Sequence, residues 1–171
     1  LELLLEGHTD AVLGVAFAVI LAFVMFLGFE SYVRANEGAS REAVAVSQLA
    51  RVSRLFPTAQ GEELRDDLGC YARAVISDEW PLMRDGRESD VVLGWLARIE
   101  TTIDEMPIDD GVSQSALAHW LDEQAVRREG RRARLAEAAP TVPAAVWSML
   151  VLGAVLTVTY VVVFADRRER W

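Results

Sequence analysis

Residues 11–29 read AVLGVAFAVILAFVMFLGF, and no side chain among them is charged. Residues 144–165 read AAVWSMLVLGAVLTVTYVVVFA and are also uncharged. At about 1.5 Å of rise per helical residue, each stretch is about 30 Å long, which matches the hydrocarbon core of a bilayer. The two stretches therefore predict an all-α integral membrane protein that is built on a transmembrane hairpin.

The charged residues of the 171-residue chain lie between and just outside these two stretches. The formal net charge is −9, and all 17 basic residues are arginine. A nucleic-acid-binding surface needs a broad basic stripe, so this acidic balance argues against nucleic acid as a partner. Cys70 is the single cysteine, which excludes a disulfide within the chain.

The sequence divides into five segments. They are a flanking segment at 1–10, a transmembrane helix at 11–30, an extramembrane region at 31–143, a second transmembrane helix at 144–165 and a flanking segment at 166–171. Hydrophobic periodicity, interrupted by proline and glycine, predicts amphipathic helices at about 31–55, 58–80, 89–106 and 113–138. Their apolar stripes must pack on one another or on neighbouring subunits, so we predict a helical bundle inserted between the two spans.

Arginines near the membrane ends predict the orientation of the hairpin. The side of the middle region carries Arg34, Arg41 and a cluster of five arginines within residues 127–134. The other side carries Arg167, Arg168 and Arg170. Because arginine and lysine favour the cytoplasmic side, we expect the middle region to be cytoplasmic.

Catalytic and metal-binding patterns are missing from the sequence. It contains no hydrolase triad, phosphate loop, HExxH or CxxC motif. Adjacent carboxylate pairs such as Glu62 and Glu63 point about 100° apart on a helix and seldom chelate one ion together. We therefore expect no enzymatic activity, no cofactor and no metal site.

The five-arginine cluster has three interpretations. It could set the topology, hold anionic lipid head groups, or line a vestibule that attracts anions when several copies surround an axis. The sequence leaves all three open. The cluster consists of Arg127, Arg128, Arg131, Arg132 and Arg134.

One face of the first apolar stretch could face lipid or line a hydrophobic pore that gates by dewetting. Glu30 follows this face where the stretch meets water, either as an ordinary interfacial charge or as part of a carboxylate ring at a pore mouth. The candidate pore-lining residues are Leu13, Phe17, Ile20, Val24, Leu27 and Glu30.

Several motifs in order resemble the bacterial bestrophin-like family of membrane proteins. They are EAVAVSQLARVSRLFP at 42–57, EWPLM at 79–83, RREGRRARL at 127–135, and Pro143 with Trp147 before the second apolar stretch. The resemblance covers nearly the whole chain. It implies a four-helix protein of the bacterial plasma membrane, of which this chain supplies the second and third membrane helices. A first helix before Leu1 and a fourth after Trp171 would then be missing.

The resemblance also implies a function. Bestrophins are pentameric anion channels whose second membrane helix lines the pore with apolar residues, a role that would fall here on the face with Phe17, Ile20 and Val24. The acidic calcium-binding cluster of animal bestrophins has no counterpart in the sequence. We therefore expect a homo-oligomeric, bestrophin-like ion channel, with the lipid bilayer and inorganic ions as partners. The alternative is a non-conducting membrane scaffold or sensor whose helical region docks a partner.

Overall fold

The computed structural model describes residues 2–138 and 142–168, with side chains at 14–57, 59–138, 142–159 and 162. Within these ranges the protein is helical and has no strand, which confirms the predicted all-α class. The helices are α1 (Glu2–Val52), α2 (Thr58–Ala74), α3 (Trp80–Met83), α4 (Asp90–Asp104), α5 (Gly111–Ala136) and α6 (Ala144–Arg168). A 3-10 turn (Ser53–Leu55) follows α1, and a π-helical turn (Val75–Glu79) joins α2 to α3.

The chain forms two compact units. The helix-pair unit comprises Leu1–Ser31 and Pro140–Trp171, and the bundle unit comprises Tyr32–Ala139. In the helix-pair unit, a Cβ atom added to Gly153 of α6 would lie 2.9 Å from Cδ2 of Phe17 in α1. The missing side chain at Gly153 therefore lets the two helices approach closely.

One helix in the described part of the chain is long and apolar enough to cross a membrane. It is the stretch Gly14–Leu55, whose most apolar window has a mean hydropathy of 2.1 and is only 11% buried. A second apolar stretch, Ala144–Thr159 in α6, is shorter. The hairpin of two membrane spans stays a prediction.

Buried residues recur every seven positions along α1. They are Val24, Ser31, Gly38, Ala45 and Val52. A straight α-helix drifts by about 20° over seven residues, so a side that stays buried at this spacing is typical of helices packed with coiled-coil geometry. We call this set the buried stripe of α1.

The core of the bundle unit is formed where α2 packs on α4, with the end of α1 and the first half of α5. The rings of Phe56 and Trp120 meet edge to face, with their centroids 5.8 Å apart. An apolar stripe with steps of four and three residues runs along α2 into the π-helical turn, and it is buried. Its members are Leu64, Leu68, Tyr71 and Val75.

Local sequence explains where the helices of the bundle unit begin. Ser89 caps α4 by accepting a hydrogen bond from the backbone N–H of Val92, and Asp110 caps α5 by accepting one from Ser113 at 2.7 Å. The helix that begins at Thr58 as α2 was predicted to end at about residue 80, but it continues through the π-helical turn and α3 to Met83. The helix predicted at about 31–55 is the second part of α1, which runs without a break from Glu2 to Val52.

Helices α1 and α5 are antiparallel and touch at two glycines. A Cβ atom on Gly38 would lie 2.7 Å from the backbone nitrogen of Arg134, and one on Gly130 would lie 2.6 Å from the backbone nitrogen of Glu42. Neither backbone can accept a side chain at that distance. The crossing therefore requires glycine on both helices.

The crossing makes a first prediction. Because the added methyl group would meet backbone atoms of α1, we expect Gly130→Ala to lower the free energy of unfolding by about 1–3 kcal/mol. Gly94 of α4 is the matched control, since no atom lies within 4 Å of its added Cβ. Gly94→Ala should stabilise the protein by roughly 0.5–1 kcal/mol. Urea unfolding of the full chain in detergent measures both changes, and equal effects would contradict the close crossing.

Candidate functional site

A group of buried, oppositely charged side chains lies inside the bundle unit. Glu42 comes from α1, Glu79 from the π-helical turn, and Arg131 and Arg134 from α5. Glu79 has no exposed surface, and Arg134 is 1% exposed. We call these four residues the buried clamp, because they join three separate segments of the chain.

Arg134 binds both carboxylates of the buried clamp. Its Nε donates to Oε2 of Glu42 at 2.7 Å, and its Nη2 donates to Oε1 of Glu42 at 3.0 Å. The same Nη2 donates to Oε2 of Glu79 at 2.7 Å. The guanidinium also lies 5.8 Å from the ring centroid of Trp80. Two parallel hydrogen bonds to one carboxylate fix orientation as well as distance.

Arg131 binds the other side of Glu79. Its Nη2 donates to Oε1 of Glu79 at 2.5 Å and to Oε2 of Glu88 at 3.0 Å. Glu88 is about half exposed, so the chain of charges runs from the interior to the surface of the bundle unit.

Tyr71 extends the buried clamp toward the core. Its hydroxyl donates a short hydrogen bond to Oε1 of Glu42. Arg127 lies over the Tyr71 ring, 5.5 Å from its centroid, and its Nε donates to Oε1 of Gln124 at 2.7 Å. In the described part of the chain, each buried side-chain nitrogen and oxygen has a hydrogen-bond partner. A buried polar network stabilises a structure only when its groups are satisfied in this way.

The charges in this network change one another's pKa. Burial alone would raise the pKa of Glu79, but hydrogen bonds from Arg131 and Arg134, with their charges, hold that pKa below its ordinary value. Burial alone would lower the pKa of Arg134, but Glu42 and Glu79 raise it. The pKa of Tyr71 is raised, first by burial and then by the charge of Glu42. Glu79, Arg131 and Arg134 are therefore ionised at neutral pH, and Tyr71 is neutral.

Helical phase divides the five-arginine cluster into two sets. Arg127, Arg131 and Arg134 follow one another at steps of four and three, so they share one face of α5 and point into the bundle unit. Arg128 and Arg132 are exposed on another face. Positive charge available to an anion or a lipid head group is thus concentrated on these two exposed residues.

Sequence reasoning missed the partners of the buried arginines. Glu42 and Glu79 lie 92 and 55 residues from Arg134, and no local pattern links them. One signal was present. The buried positions Ser113, Ala116, Trp120 and Gln124 continue at the same steps into Arg127, which places the later arginines on the core side of α5.

Burial divides the predicted pore-lining residues of α1 into two groups. Val24 is 7% exposed and Phe17 packs beside Gly153, so both point toward packed surface within the chain. Ile20 is 52% exposed and Glu30 is exposed, with Leu27 intermediate. The side chain of Leu13 lies outside those that the structure describes.

An apolar groove of about 440 Å³ runs along the bundle unit between α1 and the end of α2. Tyr71, Glu42 and Arg134 contribute to its lining. The apolar part of the lining consists of Ala39, Ala43, Val46, Ala72, Val75, Ile76 and Trp80. Ile76 and Trp80 are 71% and 46% exposed, so the groove opens to the surface.

Among the residues that the structure describes, no group of three or more His, Cys, Asp or Glu side chains is placed to hold a metal ion. The effect of the buried clamp is structural. Its donors and acceptors satisfy one another, so it holds α1, α5 and the π-helical turn in one fixed arrangement.

Loss of Glu79 tests the strength of the buried clamp. Glu79→Gln removes the carboxylate shared by Arg131 and Arg134, and we expect it to lower the free energy of unfolding by about 3 kcal/mol, since it leaves buried positive charge uncompensated. The control is Glu129→Gln, which removes the exposed pair of Glu129 with Arg41 and should cost less than about 1 kcal/mol. Urea unfolding in detergent measures both, and similar small losses would show that the clamp contributes little.

The pKa of Glu79 predicts how its contribution to the stability of the fold depends on pH. Its folded-state pKa lies below the ordinary value of 4.5, so the stability it provides is complete above pH 4.5 and is lost as the pH falls below it. The difference in unfolding free energy between wild type and Glu79→Gln should shrink in that range.

Asp67 supplies the opposite control, because burial, the largest effect, raises its pKa despite Arg98. The contribution of Asp67 to stability is complete at pH values below its ordinary pKa, and it is lost as the pH rises through the raised pKa of the folded state. The difference between wild type and Asp67→Asn should therefore grow on acidification. If both stability differences changed in the same direction with pH, the directions assigned to the pKa shifts of Glu79 and Asp67 would be wrong.

Comparison with known proteins identifies the family. No curated protein and no solved structure matches the chain. The chain matches the family model of the Bestrophin-like domain over residues 8–171. Together with the apolar α1, this match indicates a membrane protein. The chain belongs to the bestrophin-like family.

Proposed function

We propose that the protein is a homo-oligomeric ion channel of the bacterial plasma membrane, with α1 lining a central pore. The observation that carries the proposal is the apolar stretch of α1, which is only 11% buried within the chain. Lipid can cover part of that surface. A ring of α1 helices around an axis would cover the rest and would form an apolar pore.

The exposed edge of the predicted pore face is the part best suited to line the axis. Ile20, Phe23 and Leu27 follow one another at steps of three and four, and Glu30 continues the same stripe. Phe23 was not among the predicted residues, but it is 60% exposed on this stripe. An apolar constriction of this kind gates by excluding water. Val24 and Phe17 then support the stripe from the packed side of α1.

The other parts of the proposal follow from charge and family. Five subunits are what the likeness to bestrophins implies, and the arginine balance supports a multi-pass topology with a cytoplasmic bundle unit. Arg128 and Arg132 are exposed and would attract anions or lipid head groups there. The proposal includes no enzymatic step.

A second candidate function is a non-conducting scaffold or sensor. The observation that favours it is the open apolar groove of the bundle unit, with Ile76 and Trp80 at its surface. A partner helix laid in that groove would bury both side chains. Mass measurement in detergent separates the candidates, because a monomer or dimer cannot enclose a pore along α1.

Ion flux tests the channel directly. In liposomes that contain the purified full-length protein, we expect Ile20→Thr to raise the flux about tenfold, because a hydroxyl group eases wetting of the constriction by about 1.4 kcal/mol. Val19→Thr is the matched control, since Val19 is 62% exposed but lies about 100° away around α1. It should leave the flux unchanged. An intact oligomer that conducts no ions in wild type or in either variant would overturn the proposed function.

A further inference from the structure

We propose that the π-helical turn is a register switch, in which Glu79 and Asp78 alternate as the carboxylate that faces the arginines of α5. The observed register is held by Glu79. The other register would change the wall of the apolar groove, so the switch would regulate what the groove binds. This regulatory role rests on the second candidate function, whereas the geometry of the switch stands on the bundle unit alone.

Glu79 has a helical phase that the π-helical turn provides. Tyr71, Val75 and Glu79 are buried at two successive steps of four residues. The first and last of them both bind the ion pair of Glu42 with Arg134. In an α-helix, two such steps would rotate Glu79 by about 80° from Tyr71. A π turn holds more residues per turn, because its hydrogen bonds span five residues instead of four, and it returns Glu79 to the inner side.

The alternative register has a carboxylate of its own. If the turn wound as an α-helix, Asp78 would follow Val75 at a step of three and would lie within about 20° of Tyr71. Asp78 would then face the arginines of α5, and Glu79 would leave them. In the observed register, Asp78 is half-buried and accepts a hydrogen bond from the Ser77 hydroxyl at 2.5 Å. Each register therefore places one of two adjacent carboxylates on the inner side.

The chain beyond the turn can absorb a change of register. Such a change moves the following helical residues by one position, which is least disruptive where the helix soon ends. Here α3 ends at Met83, and a non-helical connection at 84–89 precedes α4. Gly86 in that connection has a φ of 65°, a left-handed conformation that glycine adopts without strain. The switch can therefore leave α4 and the core of the bundle unit in place.

The groove has a different wall in each register. In the observed register, Trp80 forms part of the apolar wall, and the Arg134 guanidinium lies 5.8 Å from the centroid of its ring. A shift by one residue would rotate Trp80 by about 100° and bring the carboxylate of Glu79 to its place. The observed register thus offers apolar surface to a partner helix, whereas the other register offers a negative charge. A partner that binds one register more tightly would shift the population of the two.

Fluorine NMR of Trp80 tests the switch without measuring flux or partner binding. The full-length protein is labelled with 5-fluorotryptophan in detergent, and the Trp80 resonance is assigned as the one lost in Trp80→Phe. We expect one dominant Trp80 resonance in wild type. Glu79→Gln should raise the ratio of a second Trp80 resonance to the first by about tenfold, because it removes the carboxylate of the observed register alone. Glu79→Asp keeps the charge at a shorter reach, and it should raise the ratio by about threefold.

Three further variants separate a register change from a loosened fold. Adding Asp78→Asn to Glu79→Gln should return the ratio toward wild type, since neither register then has a carboxylate. Deletion of Ser77 removes the extra residue of the turn and keeps Glu79 and Trp80 in phase within an α-helix, so Glu79→Gln in that shortened chain should leave the Trp80 resonance unchanged. Leu68→Ala weakens the core, and it should lower the unfolding temperature without producing the second resonance.

Each outcome decides between the switch and a fixed turn. The inference is overturned if neither Glu79→Gln nor Glu79→Asp gives a second resonance, if Asp78→Asn fails to reverse the change, or if Leu68→Ala produces it too. A second resonance that depends on Asp78 supports the switch. Liposome flux is measured separately on wild type. A protein that conducts no ions but shows both registers would refute the channel and leave the switch standing, and a conducting protein with a single register would do the reverse.

Discussion

The ion pair between Glu42 and Arg134 is the contact on which the bundle unit depends. It joins α1 to α5 across 92 residues of sequence, and Arg134 uses the same guanidinium to hold Glu79 in the π-helical turn. Such a contact forms only if the backbones are close. Gly38 and Gly130 supply that closeness, because either side chain would meet main-chain atoms of the other helix. The ion pair and the glycine crossing are therefore one feature.

Burial of these charges is costly, and the protein meets the cost through hydrogen bonding. Removal of two ions from water takes several kcal/mol each, which a single Coulomb interaction does not reliably recover. Here Glu79 accepts from two arginines, while Glu42 accepts from Arg134 and from the Tyr71 hydroxyl. An apolar cluster of the same volume could be equally stable. What the charged cluster adds is orientation, since each hydrogen bond has a preferred direction and an apolar contact has none.

The sequence predicted helices far better than it predicted the partners of its charges. Proline, glycine and capping residues mark helix ends locally, so Ser89 and Asp110 begin α4 and α5 near the expected positions. The exception is the helix predicted at 58–80, which continues through the π-helical turn to Met83. The steps from Arg127 to Arg131 and Arg134 indicate one face of α5. The choice of Glu42 and Glu79 among 26 acidic residues is a tertiary fact that no spacing encodes.

The division of the predicted pore face has the same cause. Val24 and Ile20 are four residues apart and equally apolar, and hydropathy alone places them together. The structure separates them, because Val24 is 7% exposed within the helix-pair unit and Ile20 is 52% exposed. The apolar residues of the proposed pore stripe cannot be distinguished from lipid-facing residues by their own chemistry. Packing beside Gly153 of α6 distinguishes Phe17 from the exposed Ile20, and this contact appears only in the folded helix-pair unit.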